Sequence, residues 1–412
     1  MTVQGLAELG YFRSTKPHIT LEELYRDEFH IDIDYEPQID NDEWLKQYDL
    51  IHFHRTIGDY DKMGDYLDSQ GVKQEGTIPR LRRLGIPTIM DLDDYWSPGQ
   101  HHPAYLLIKQ SGIDKKILNN LQLADYVCTT TDIFANEIKK YNKNTFVLPN
   151  AIDPKEKQYI PNPEQSERLR IGWLGGSSHL KDLEILNGVV SKLKTDGLLD
   201  KVQFVLCGFD LRGFITTIDE QTGQKTQRPI QPKESVWYNY EQIFTDNYTT
   251  ISPEYKEHLL SFTKNEYSNV SNEPYRRVWT KPISTYASNY NLFDVSLAPL
   301  SEHIFNKVKS QLKVIEAGFH KKAIIAQDFG PYQIDLVNAR EKGGAINSNG
   351  NSLLIPSDKN HKLWYQYIKN LIENPELVKQ LSINLNNTIK DTYSINAVTE
   401  KRRDWYKSII KK

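Results

Sequence analysis

The stretch LFDVSLAPLSEHIFNKVKSQLKVIEAGFHKKAIIAQDFGPYQ, residues 292–333, decides the reading of the fold. Residues 292–297 form an apolar run that ends in a proline-containing loop, residues 309–320 have helical spacing, and residues 323–326 form a second apolar run. Two buried-type strands joined through a helix are the unit of a parallel sheet, because parallel neighbours need a crossover that a tight hairpin cannot supply. At 100° per residue, Leu312, Ile315 and Phe319 share one side of that helix, and Lys309, Lys313, Glu316 and His320 share another. The charged side admits two readings. It is a solvated face with a Lys313/Glu316 pair at i,i+3. Alternatively it is a binding face, since a helix N-terminus and lysines favour phosphate while a glutamate accepts hydrogen bonds from ribose hydroxyls.

Upstream, residues 169–179 (LRIGWLGGSSH) read as a strand and a glycine-rich turn, with a helix to follow over 181–193. That order suits a phosphate cradle at Gly175 and Gly176, where the missing side chains let the backbone approach a ligand; any tight turn uses the same residues. Residues 202–207 give the next strand, closed by Gly208 and Phe209. Residues 210–275 interrupt the rhythm. They are polar and turn-rich, with a hairpin turn expected at 219–224, and they are far too long for an ordinary α/β connection, so they read as an insertion. A helix is expected over 282–290. Downstream come a strand at 352–355 and three helices, the last with an apolar stripe at Val398, Trp405, Ile409 and Ile410.

The first part of the chain shows no clear strand before residue 40. Gly10 and Arg13 precede a helix that Thr20 would cap, with Glu23 completing a capping box. Leu50, Ile51 and Phe53 make a short strand with His52, His54 and Arg55 at its C-terminal end, the edge on which open α/β sheets bind ligands. A helix over 77–84 leads to a strand over 86–90, with Asp91, Asp93 and Asp94 at its exit. Three carboxylates there suit a hard divalent cation, or they hold acceptor hydroxyls and loop N–H groups; the second reading is preferred, and no metal is assigned. His101 and His102 follow in a loop. A helix over 114–123, a strand ending near Thr131, a helix capped by Thr131 or Asp132 and a strand over 145–148 lead to Pro149-Asn150-Ala151-Ile152-Asp153. A linker at 154–167 rich in Pro, Asn, Glu and Lys marks a boundary. Expected domains are therefore 1–153, 168–390 and a final helix at 391–412.

With 412 residues the chain can bury two or three cores. Its 51 basic and 54 acidic residues leave a net charge of -3, so no global field draws it to nucleic acid or anionic lipid. Cys128 and Cys207 lie in apolar runs and suggest buried thiols rather than a disulfide or zinc site. No signal-peptide pattern and no run of 18 apolar residues is present, which leads to the expectation of a cytoplasmic protein with at most peripheral membrane contact. Oligomeric state is not legible.

Taken together, residues 294–300 (DVSLAPL), 305–316 (FNKVKSQLKVIE) and 330–332 (GPY) resemble the nucleotide-binding half of the retaining, family 4 type glycosyltransferases of GT-B fold. Gly10-Tyr11-Phe12-Arg13 with Pro17, the Asp91-Leu92-Asp93-Asp94 group and the 149–153 exit resemble the same family. The resemblance implies an α/β protein of two Rossmann-like, doubly wound domains facing across a cleft, with the last helix crossing back to the first. It implies a nucleotide-diphosphate-sugar donor, no cofactor and no metal. On that basis Lys309, Glu316, His54 and Arg13 are the catalytic candidates. Gly175, Gly176, His179, Gly208, Phe209, Asn306, Lys309, Ser310 and Glu316 are donor-binding candidates, with Glu316 on the ribose. Gly10, Arg13, His54, Asp91, Asp93 and Asp94 are candidates for the sugar or acceptor side. A glycan, lipid-linked glycan, protein or nucleobase acceptor all fit. One departure stands out: the family carries two glutamates separated by seven residues, and the first, which contacts the donor sugar, falls on Val308. A sugar-nucleotide epimerase or a silent binding module of the same fold are the alternatives.

Overall fold

Two parallel sheets organise the computed structural model, which describes residues 2–4, 10–100, 102–210, 213–218, 222, 224–245, 273–341, 344–347 and 349–410. The first sheet uses β1 (Thr2–Gln4), β2 (Asp32–Ile33), β3 (Ile51–His54), β6 (Thr88–Leu92), β7 (Tyr126–Thr129) and β8 (Thr145–Val147), with a separate hairpin of β4 (Tyr66–Leu67) and β5 (Lys73–Gln74). Its strand order is β2-β1-β3-β6-β7-β8, parallel throughout. The second sheet is built from β9 (Leu169–Leu174), β10 (Val202–Phe209), β13 (Tyr275–Trp279), β14 (Val295–Ala298), β15 (Ala323–Gln327) and β16 (Leu353–Ile355), while β11 (Phe214–Ile218) and β12 (Lys225–Pro229) form an antiparallel hairpin. Its order is β13-β10-β9-β14-β15-β16, again all parallel.

Two compact units result: Met1–Pro154 with His303–Ile315 and Lys390–Lys412, and Lys155–Glu302 with Glu316–Ile389. In the first unit, side-chain alternation along the strands feeds two separate cores. Ile51, Phe53, Met90 and Val127 enter one core with Leu121, Phe134 and Val308. Leu50, Ile89 and Cys128 enter the other with Leu21, Leu148, Trp405 and Tyr406. Both faces of the sheet are thus covered, which is why β3 and β6 are buried at every position. The last helix, Ile395–Ile410, contributes Ile395, Val398, Trp405, Tyr406 and Ile409 to the second core, whereas Ile410 is 41% exposed and lies off the expected stripe. In the second unit, Ile171, Trp173, Phe204, Leu206, Leu297 and Ile325 share one core with Trp237, Tyr240, Trp364 and Leu371. Among the described residues no helix is long and apolar enough to cross a membrane.

Several elements differ from the sequence reading, each for a local reason. β1 is a strand inside the first sheet although the region before residue 40 reads as strandless. The first long helix begins at Lys16, with Pro17 in its first turn, where proline costs no hydrogen bond. Thr20 therefore lies inside it and turns its hydroxyl onto the Lys16 carbonyl at 2.9 Å instead of capping. β6 starts two residues later than expected, which puts Asp91 within the strand and only Asp93 and Asp94 beyond it. The helix expected over 181–193 is broken: Leu180–Leu183, a tight turn at Glu184–Leu186, then Val189–Thr195 after Gly188, whose φ of 85° is left-handed. The expected helix at 282–290 is a tight 3₁₀ helix at Tyr286–Leu292. The expected helix over 309–320 runs only from Leu312 to Phe319, preceded by a short helix at Ile304–Lys307. Val308, between them, is fully buried in an apolar core of the first unit.

The expected insertion is smaller than 210–275. Helix Val236–Thr245 packs Trp237, Tyr240 and Phe244 into the core of the second unit, and β13 is a strand of the second sheet. The hairpin β11–β12 is present; its turn at residues 219–221 and 223 lies outside the described residues, as does His101.

Candidate functional site

At the C-terminal ends of β3 and β6 the first unit gathers charge. Arg13 is drawn inside. Its Nε and Nη2 donate to the two Asp91 oxygens at 2.8 and 3.0 Å, the bidentate fork that guanidinium and carboxylate geometry favours. Its Nη1 donates to the Leu148 carbonyl at 2.6 Å and to Asn150 Oδ1 at 3.3 Å. Both partners are fully buried, 1% and 0% exposed. Burial alone would raise the Asp91 carboxyl, but the Arg13 charge and then His52 outweigh it and hold it well below the usual range. Gly10 contributes its carbonyl, which accepts from the Ser14 and Thr15 N–H groups at 2.7 and 2.9 Å and so turns the chain that carries Arg13.

One step further out lie His54, Arg55, Asp93 and Asp94. His54 is buried, and its Nε2 meets Asp93 Oδ1 at 2.8 Å while Nδ1 has no partner among the described residues. Arg55 donates to Asp93 at 3.0 Å and to Asp94 at 3.2 Å. It does so from a φ of 62°, a left-handed backbone that a side chain rarely adopts; such a conformation persists only where its surroundings impose it. The Arg55 N–H bonded to the Asp91 carbonyl at 3.1 Å is one such tie. The neighbouring carboxylates are pushed apart. Asp93 is held low, burial being outweighed by His54 and then Arg55. Asp94 is raised by burial and by the Asp93 charge, with Arg55 and Lys309 pulling the other way. An ionised acid beside one that protonates more readily is an arrangement able to bind hydroxyls or move a proton.

The segment from His303 to Ile315 belongs to this unit. Asn306 is buried, Lys309 is part-exposed with its Nζ 5.1 Å from the Phe305 ring centre, and Ser310 Oγ accepts from Asn150 Nδ2 at 3.1 Å. Lys309 and Ser310 thus lie in the loop before a helix rather than on its first turn. Asn150, legible only as part of a domain exit, links that loop to Arg13.

In the second unit the ends of β9 and β10 meet at two glycines. A side chain on Gly208, whose φ is 106°, would come within 2.3 Å of the Gly175 carbonyl oxygen. Beyond that turn, Tyr240 donates to the Gly176 carbonyl at 3.2 Å and accepts from the His179 N–H at 2.8 Å. His179 Nδ1 lies 2.7 Å from Asp182 Oδ2, and Asp182 Oδ1 accepts from both the N–H and hydroxyl of Ser301, at 2.8 and 2.7 Å. A buried carboxylate therefore fixes the imidazole orientation. Phe209 is fully buried, under Arg277 and edge-on to Trp279, in place of the ligand-facing position expected of it. Glu316 is buried rather than solvated and accepts from the hydroxyls of Tyr286 and Tyr290, the latter at 3.1 Å. Burial, followed by the Glu316 charge, pushes both phenols well above their ordinary value. The two tyrosines lie just before the 292–333 stretch, and nothing in the sequence marked them as partners of Glu316. Among the described residues no group of acids, histidines or cysteines is spaced to hold a metal ion.

No family model matches the chain, and no curated protein does. Solved structures do match. The Anabaena protein Alr3699/HepE in complex with UDP-glucose aligns at 13% identity and a TM-score of 0.56, over 99% of this chain and 100% of that one. A glycosyltransferase from Rickettsia africae aligns at 11% identity and 0.54, over 100% and 98%. Sucrose-phosphate synthase from Thermosynechococcus elongatus aligns at 12% and 0.52, over 99% of each. At such identities the likeness concerns architecture: this chain has the two Rossmann-like parallel-sheet domains of the GT-B fold.

Proposed function

We propose that the chain is a glycosyltransferase that moves a sugar from a nucleotide-diphosphate donor to an acceptor, with retention at the anomeric carbon and without a metal ion. The observation that carries this reading is the end-to-end fold match to a protein solved with UDP-glucose. As the glycosidic bond breaks, the leaving diphosphate gains charge, and fixed cations and N–H dipoles stabilise it. Lys309 supplies the cation in this reading, with Ser310 beside it as a hydrogen-bonding group, and the Gly175-Gly176 backbone is the second unit's candidate for donor phosphate. Glu316 takes ribose hydroxyls at acceptor positions that Tyr286 and Tyr290 use in the absence of ligand. Asp93, Asp94 and His54 serve the sugar or acceptor.

Three measurements test it. A thermal-shift panel of nucleotide sugars identifies the donor, since a ligand at 100 times its Kd stabilises by about 2.7 kcal/mol. Lys309→Ala is then expected to lower donor turnover roughly a hundredfold, about 3 kcal/mol of lost charge stabilisation, while leaving the melting temperature close to wild type. Turnover that survives the substitution removes Lys309 from the mechanism, and turnover lost in EDTA and restored by manganese removes the metal-free reading. One observation favours a second reading, a donor-binding module without catalysis: Val308, where the resembling family carries a glutamate, is packed into an apolar core. Donor binding with no transfer, hydrolysis or epimerisation of any sugar would decide for that module.

A further inference from the structure

Arg55 is held in the first unit against the preference of its own backbone. Its φ is 62°, and the Thr56 N–H donates to the His54 carbonyl, two residues back, at 2.7 Å. Arg55 is therefore the centre of a tight turn of the rare, strained kind. Glycine would occupy that turn without strain. Arginine brings its guanidinium there, and not for its own hydrogen bonding, since Nε is buried with no partner among the described residues. The side-chain bonds are made by Nη2, which donates to Asp93 Oδ1 at 3.0 Å and to Asp94 Oδ2 at 3.2 Å. One nitrogen thus holds together two carboxylates whose like charges repel. His54 Nε2 also falls on Asp93 Oδ1, at 2.8 Å, so three contacts use two of the four carboxylate oxygens. Asp93 Oδ2 and Asp94 Oδ1 accept no hydrogen bond among the described residues. Their side chains are 20% and 40% exposed, so a solute can reach them. Two ionised oxygens fixed relative to each other suit two hydroxyls of one molecule, each with a proton to give, and repel an anionic group.

We infer that Arg55 is a positioning residue: it clamps Asp93 and Asp94 side by side so that their remaining oxygens receive neighbouring hydroxyls of a neutral sugar on the acceptor side. The inference deepens the proposed transfer and rests on the reading that these two acids serve the acceptor. The surrounding charge gives the clamp a pH signature. Asp94 is faced by Asp93 in its own loop, by His54 and Arg55 from the end of β3, by His102 from the loop beyond, and by Lys309 from the 303–315 segment. Burial and then the Asp93 charge raise its carboxyl, while Arg55, Lys309 and His54, in that order, pull it down. Removing Arg55 takes away a lowering charge, so Asp94 moves further up and the ionised pair is lost at a higher pH. An opposite charge in direct contact moves a carboxyl by about one pH unit or more.

Binding of the methyl glycosides of glucose, galactose and mannose to the full-length protein, followed by saturation-transfer NMR across the acid range, tests this. Wild type is expected to bind at least one of them, more weakly as pH falls, and Asp94→Asn to lose it. Arg55→Gly and Arg55→Asn both suit a left-handed turn. Both are expected to fold and to carry the acid limb upward by about one pH unit, which within that limb, where affinity falls with each proton taken up, is about a tenfold loss. Millimolar guanidinium chloride is expected to bring the limb of Arg55→Gly back toward wild type. An arginine that only stabilised its turn would, once removed, lower the melting temperature or weaken binding equally at every pH. No glycoside bound by wild type, an acid limb unmoved in both variants, or failure of both to fold overturns the inference. Because binding needs no turnover, a shifted limb in a protein that processes no nucleotide sugar would leave Arg55 as the clamp of a sugar site and overturn the transferase reading alone.

Discussion

His52 owes its charge state to its surroundings, and the consequence is measurable. Loss of hydration, only partly offset by Asp91, pulls its pKa from 6.5 down to about 4. The unfolded chain takes up a proton near 6.5 that the folded protein refuses until about pH 4. Between those values the unfolded state binds more protons, so stability rises with pH and falls on acidification. The loss from His52 alone is about 3 kcal/mol, and His18, shifted the same way, adds to it. Asp91 does not mask this effect. Its carboxyl is depressed, so its contribution is present above the ordinary 3.8 and fades only below it. Melting temperatures of wild type are therefore expected to drop steadily from pH 6.5 to 4, with a shallower slope in His52→Gln. A flat wild-type profile would mean that folded His52 is an imidazolium paired with Asp91.

At the scale of elements, the junction of β9 and β10 is the most constrained feature of the second unit. Gly208→Ala would place a methyl group 2.3 Å from the Gly175 carbonyl, at a φ of 106° that alanine resists. We expect a loss of about 2 kcal/mol or more in stability and a larger loss in UDP affinity by calorimetry, because the Gly175-Gly176 turn has to move. Wild-type affinity in that variant would detach the turn from the nucleotide. Elements of this kind were readable where burial on both sides writes a nearly continuous apolar run, as in β15; β3 and β6 are as fully buried but carry two histidines in the first and a threonine and an aspartate in the second. β1 was not, because three residues, two of them polar (Thr2 and Gln4), make no pattern although the strand lies inside the sheet. Helix Val236–Thr245 did carry a period, Trp237, Tyr240 and Phe244 at i, i+3 and i+7, hidden by the polar stretch around it. Site residues were legible by type and by their place at strand ends, but not by depth. Arg13, Asp91, Phe209 and Glu316 are all buried, and only the folded chain shows which charges face one another.

For the whole molecule, the two units are not two consecutive lengths of chain. The first is finished by residues from the far end: Ile152 exchanges backbone hydrogen bonds with the segment at Tyr393 and Ile395, at 3.0 and 2.8 Å, and Trp405 stacks on Phe146 with ring centres 4.6 Å apart. Leu21, Phe29, Leu50, Ile89 and Leu148 pack beneath that helix. A chain stopped after residue 390 is expected to sediment as aggregates and to regain a monomeric, cooperative melt when a peptide of residues 391–410 is added; a stable monomer without the peptide would show that the helix is dispensable. The same connectivity sets a timetable for birth on the ribosome. Roughly 240 residues must be translated after the first unit's sheet is complete before its covering helix exists, which at ordinary elongation rates is on the order of ten to fifty seconds. Throughout that interval an oily sheet face waits uncovered in the cell, so this protein's yield in vivo should depend on holding chaperones more than its finished stability would suggest.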